Sequence, residues 1–238
     1  MPLFAQTQKA QSQEEQMSSN SIPQDSLQLT SSKSNRSVTR MLEVGVSANA
    51  YRGDLAMKYQ KWSSAFHVGL KLNHKKRVNS HFNISAGTVT GQNLEYVYAG
   101  ASEGKTTPNR FFTTNFFTFN YDLQINLIKR KNWIVYVSQG IGLIRYKPKD
   151  DQDASLQSQF QTRAANETYS NVSLMLPTQA GVMYVFDNGY GAGLQTGWMN
   201  TQTDYIDNIS QWGNRQKKDN VLWFRFSFIA PLSFQAKN

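Results

Sequence analysis

The sequence predicts an all-β protein: a closed, antiparallel, transmembrane β-barrel of about eight strands behind a disordered N-terminal leader. Three observations predict it. Apolar residues alternate with polar or small ones in segment after segment. The segments run about 10 residues or more, where ordinary soluble strands average about 5–6. The connections between them alternate strictly between short and long.

The first segment, residues 41–51, is the cleanest. Leu42, Val44, Val46, Ala48 and Ala50 share one face, and Glu43, Gly45, Ser47, Asn49 and Tyr51 the other. Strand side chains alternate between faces, so this segment has an oily wall and a wet wall. Segments 64–74, 81–90 and 117–127 repeat the pattern, with Phe66, Ile84 and Phe119 on the oily side and His67, Asn83 and Asn120 on the wet side. So do 133–145, 172–186, 190–203 and 222–234.

Connections 74–80, 128–132 and 187–189 are short, whereas 52–63, 91–110, 146–171 and 204–221 are long. Outer-membrane barrels join their strands in this way, with short periplasmic turns and long outer loops. Both termini then fall on the periplasmic side. Phe82, Trp133, Tyr184, Phe186, Tyr190 and Phe234 are expected as an aromatic girdle at that interface. A soluble barrel would turn the oily face inward and expose the other. That other face carries Gly, Ser and Asn rather than the Lys, Glu and Asp that water favours.

Composition sets further bounds. The chain has 238 residues, a net charge of +9 and no Cys, which rules out disulfides and thiolate metal sites. No apolar run approaches the roughly 18 residues of a transmembrane helix, and mean hydropathy is −0.55. Met1 to Ala5, followed by Gln6, looks like the tail of a secretory signal, with the true start upstream. Residues 7–40 are rich in Ser and Gln and have little to bury. The expected organisation is a signal remnant and leader over 1–40 and a barrel over 41–238.

An eight-stranded interior is just wide enough for side chains to fill, so no general pore is expected. Glu43 and Lys71 fall on neighbouring strands and are predicted to pair inside, because an unpaired buried charge is costly. Asp122 and Arg225 are further interior charges without an assigned partner.

Two stretches stand out at the outer strand ends. Tyr51-Arg52-Gly53-Asp54-Leu55 leaves the first strand, and Thr203-Asp204-Tyr205-Ile206-Asp207-Asn208-Ile209-Ser210 leaves the seventh. In a closed barrel the first, seventh and eighth strands lie together, so the two stretches are expected to meet at the rim. Asp54, Asp204 and Asp207 then read as caps on backbone N–H groups, a reading preferred over a divalent-cation site. Arg52-Gly53-Asp54 also spells an adhesion tripeptide, better explained by turn chemistry.

The two stretches resemble motifs of a family of small outer-membrane barrels that includes the PorG component of type IX secretion. Residues 109–127 and 133–148 between them are similar too. The resemblance covers about residues 42–210, with Asn208 in place of a commoner Asp. It implies a non-enzymatic barrel. For PorG-like members it implies an outer-membrane part associated with the periplasmic ring of the secretion and gliding machinery.

The remaining features are weighed against that role. His67 points inward, whereas His74 and His81 flank a short turn with no carboxylate at ligand spacing. They read as satisfied interfacial histidines, with no metal and no other cofactor. A barrel hydrolase would want a His beside a Ser or Asp at the outer rim, and the outer loops have none. Lys75-Lys76-Arg77 and Lys129-Arg130-Lys131 form basic turns, suited to anionic lipid heads or to an acidic periplasmic partner. These charges sit in separate turns without stacking aromatics, which argues against nucleic acid. The expected partners are the bilayer, lipopolysaccharide and periplasmic ring proteins of the secretion machinery. The alternative is a surface-facing binding barrel, an adhesin or ligand-recognition protein acting through its long loops.

Overall fold

The computed structural model describes residues 39–72, 74–95, 108–164, 166–213 and 217–232. The signal remnant, all but the last two leader residues, and Phe234 lie outside the described residues. Nine strand segments are present among the described residues: β1 (Arg40–Arg52), β2 (Trp62–Leu72), β3 (Val78–Gln92), β4 (Phe111–Lys129), β5 (Trp133–Lys149), β6 (Val172–Met175), β7 (Thr178–Val185), β8 (Gly191–Trp198) and β9 (Asn220–Leu232). All pairings are antiparallel, from β4 through β3, β2, β1, β9, β8 and β7 to β5. The additional β4–β5 pairing closes the ring.

The ring has eight staves because β6 and β7 form one. Both pair with β5 in a single register: Gly142 faces Met175 and Gln139 faces Thr178, each pair summing to 317. The sequence predicts one strand over 172–186; the structure interrupts it at Leu176-Pro177. Pro177 has no N–H for the ladder, although its carbonyl still accepts the Gly140 N–H at 2.8 Å. The seventh predicted segment, 190–203, also ends early. Asn200 adopts φ 44° and turns the chain, and its side-chain amide holds the Leu176 carbonyl at 2.9 Å.

The barrel is inverted relative to a soluble one. Val46, Phe66, Phe119, Ile141, Leu194 and Phe226 point outward, each about half exposed or more (48–59%). Glu43, Asn49, His67, His81, Asn83 and Ser227 point inward, each at 0% exposure. An apolar band of this kind around a polar interior suits hydrocarbon, not water. At the short-turn end Trp133 packs on Tyr184 at 4.8 Å, Tyr184 on Phe186 at 5.1 Å and Tyr190 on Phe228 at 5.7 Å.

The interior is filled in three layers. Met41, Ile134, Tyr136, Met183 and Ile229 close the short-turn end. A polar layer follows. At the long-loop end a larger apolar cluster fills the mouth, with Tyr51, Phe112, Tyr146 and Trp223 from strands and Leu55, Leu156, Ile206 and Ile209 from loops. Glycine makes room for the large interior groups. A Cβ at Gly181 would meet the Tyr136 ring at 2.6 Å.

Candidate functional site

The polar layer centres on Glu43. Lys71 Nζ lies 3.0 Å from Glu43 Oε2 and 4.9 Å from the Tyr136 ring centre. Ser227 donates to Glu43 Oε1 at 2.6 Å, and Gln195 also bonds that oxygen. His67 Nε2 is 3.6 Å from Glu43 Oε1. His81 stands between two carboxylates, 3.4 Å from Glu43 and 3.3 Å from Asp122. This corrects the turn-flanking position expected of His81 and the expectation of no carboxylate near the histidines. His81 lies inside β3, on its inner face, and the carboxylates arrive from β1 and β4. Spacing along one strand cannot reveal groups brought together across strands. Asp122 accepts from Asn120 at 2.7 Å and Gln179 at 3.0 Å, and Arg225 donates to Ser85 at 3.0 Å.

The two outer stretches meet over the mouth. Tyr51 Oη is 2.7 Å from Asp207 Oδ2 and 2.5 Å from Asp219 Oδ1. Asp207 also accepts the N–H groups of Leu55 at 3.2 Å and Ile209 at 2.9 Å. Asp219 accepts the Ile206 N–H at 2.8 Å. Three oxygens share this contact, and Tyr51 supplies one proton. A second proton is needed on a carboxyl. Burial pushes Asp219 well above its ordinary range, and the neighbouring Asp207 charge pushes it further. Burial also raises Asp207, to about 7. The Tyr51 hydroxyl has one proton for two carboxyl groups, and Asp219, where burial and the Asp207 charge both favour the protonated form, is the carboxyl suited to hold the second.

Other motif residues build the same cap. The Gly53 N–H donates to the Ala56 carbonyl at 2.9 Å, and a Cβ on Gly53 would strike the Tyr51 hydroxyl and Asp219 carboxylate. Leu55 is fully buried in the apolar cluster. Asp54 packs against Gly213. Thr203 Oγ1 lies 2.9 Å from Tyr146 Oη and accepts the Tyr205 N–H at 3.1 Å. Tyr205 donates to the Thr168 carbonyl at 3.0 Å. Asn208 donates to Thr162 at 2.8 Å and Asn109 at 3.2 Å, and accepts from Arg163 at 3.1 Å. Ser210 and Asp204 line a cavity beside the cap. The sequence reading missed Asp219, which continues the inward parity of Val221 and Trp223 one step before β9.

At the opposite end the two basic turns join. Asn126 donates to the carbonyls of His74 at 3.0 Å and Lys76 at 2.7 Å, and Lys129 donates to that of Lys75. Lys75, Lys76, Arg77, Lys129, Arg130 and Lys131 are all exposed. Lys131 lies 3.8 Å from Asp187. Burial, followed by the Lys75 and Lys129 ammonium groups, lowers the His74 pKa to about 4.

No family model matches the chain, and no curated protein matches it. Among solved structures, the attachment invasion locus protein Ail of Yersinia pestis, crystallised with the heparin analogue sucrose octasulfate, shares 8% identity. Its TM-score is 0.48, over 82% of this chain and 99% of that one. Neisserial surface protein A shares 10% identity at a TM-score of 0.46, over 82% and 97%. The outer membrane enzyme PagL shares 11% at 0.36, over 80% and 99%. Likenesses of this strength carry no argument about activity or ligands. The class follows from the molecule itself: an apolar exterior, a filled polar interior and eight closed staves define a small β-barrel of the outer-membrane type.

Proposed function

We propose that this chain is a non-enzymatic, non-conducting barrel that works by recognition at the ordered surface over its long-loop end. The observation that carries the reading is the lock of Tyr51 on Asp207 and Asp219. It ties the end of β1 to the connection between β8 and β9 and so fixes that connection over the mouth, as a recognition surface requires. The chain's three histidines lie elsewhere, two in the interior and one in a short turn, which supports a role without catalysis. The bilayer and lipopolysaccharide are the surroundings this reading implies, with both termini periplasmic.

The absence of Cys makes orientation testable with single introduced thiols. Ala154→Cys is expected to react with a membrane-impermeant maleimide on intact cells, and Lys75→Cys only after lysis. The reverse pattern overturns the reading. In planar bilayers the purified protein is expected to give no stable conductance.

A second reading is a PorG-like anchor of type IX secretion and gliding machinery. One observation favours it: the two basic turns converge on one patch, positioned to steer an acidic periplasmic partner. Reversing Lys76 and Arg130 to Glu is then expected to abolish co-purification of periplasmic ring proteins from membranes.

A further inference from the structure

Beside the Tyr51 lock lies a cavity of about 210 Å³. Its mouth is formed by exposed Ser170, Gln202 and Lys218, and its floor by Tyr146, Thr203 and Asp204. Asp204 is 3% exposed, and neither carboxylate oxygen has a hydrogen-bond partner among the described residues. A buried carboxylate left without donors is costly, and a donor entering the cavity would relieve that cost.

We propose that this cavity binds an organic ammonium group, seated on the Asp204 carboxylate. The inference rests on the recognition role proposed for this surface and names its ligand chemistry. Two empty acceptor oxygens call for N–H donors, and the local field calls for positive charge. Asp54 faces Asp204 from the loop after β1 and Glu167 from the loop after β5; Asp219, before β9, faces it too, but burial favours its protonated form and it adds no charge. Among the described residues, the Lys218 ammonium opposes the effect of Asp54 and Glu167 on Asp204. The hydroxyls of Tyr146 and Tyr205 complete the wall; each donates to a backbone carbonyl, Ser170 and Thr168 respectively. An anion would meet the Asp204 carboxylate, and a neutral polyol would leave the charge of that carboxylate uncompensated. A calcium ion needs 6–8 oxygen ligands, and Asp204 is the only carboxylate lining the cavity among the described residues.

The field leaves a signature. Burial and the Asp54 charge raise the Asp204 pKa to about 7. An ammonium ligand binds the ionised form and displaces the proton. Its affinity therefore rises about tenfold between pH 6 and pH 8, as the ionised fraction does.

The test is a ligand-detected NMR titration of the full chain in detergent micelles with n-butylammonium. Saturable binding about tenfold tighter at pH 8 than at pH 6 is expected, with loss in Asp204→Asn and no binding of D-glucose. Lys218→Ala, an exposed substitution that leaves the fold intact, is expected to tighten binding severalfold at pH 8.5 by removing a competing cation. Binding that is independent of pH, equal affinity in Asp204→Asn, equal binding of D-glucose, or no binding by either the wild type or Lys218→Ala overturns the proposal. Micelles expose both ends of the barrel, so failure here is distinct from failure of the maleimide test of orientation.

Discussion

The hydroxyl of Tyr51 and the carboxylate of Asp207 lie 2.7 Å apart across 156 residues of sequence. One belongs to the end of the first stave, the other to the last long loop. Their contact converts a rim of separate loops into a cap. The same oxygen of Asp207 also holds the Leu55 N–H, so one carboxylate fixes the direction in which the chain leaves β1.

Tyr51→Phe keeps the ring against Phe112, 4.8 Å away, and removes only the hydroxyl. Asp207 and Asp219 then lose a shared partner while remaining buried. The expected cost is about 1–3 kcal/mol, confined to the cap. Limited proteolysis within 199–219 is expected to speed up while the barrel's heat-modifiability on gels is retained. Unchanged cleavage would contradict the lock.

The cap should loosen as pH rises. Asp207 and Asp204 titrate near 7 in the fold, against about 3.8 when unfolded. Their folded pKa values are raised, so the stability they contribute is fully present below about pH 4 and is lost as pH rises to about 7. Hydrogen exchange in 199–219 is expected to accelerate between pH 5 and pH 8 beyond its intrinsic rate. Asp207→Asn, which cannot ionise, is expected to flatten that dependence.

Lys71→Met removes the ammonium from a fully buried carboxylate, leaving Glu43 with His67, His81 and hydroxyl or amide partners. Breaking such a pair costs about 3–5 kcal/mol. The heat-modifiability transition is expected to fall in Lys71→Met and to recover in part when Glu43→Gln is added. An unshifted transition in Lys71→Met would show the pair to be irrelevant to stability.

His74 reports on the basic patch. The lysines beside it oppose its protonation, so Lys75→Gln with Lys129→Gln should raise its pKa from about 4 toward the ordinary 6.5. An NMR titration of the imidazole reads this directly. A fixed value would mean that burial alone sets it.

The alternation of residues such as Val46 and Ser47 carried the fold class, because the two-residue period of a strand is a local property that needs no partner. It also assigned Glu43 and Lys71 to one interior. Their registry follows from an antiparallel hairpin, where Lys71 stands opposite Met41 and beside Glu43. The sequence could not show that His81 stands between Glu43 and Asp122, because three separate strands supply that geometry. Nor could it show that Pro177 splits a stave without changing its register. The inward fold of 199–213, the hydroxyl shared at Tyr51 and the empty acceptors of Asp204 belong to tertiary structure alone. They depend on which loops meet once the ring has closed, and closure is set by pairings between residues as distant as Arg40 and Leu232.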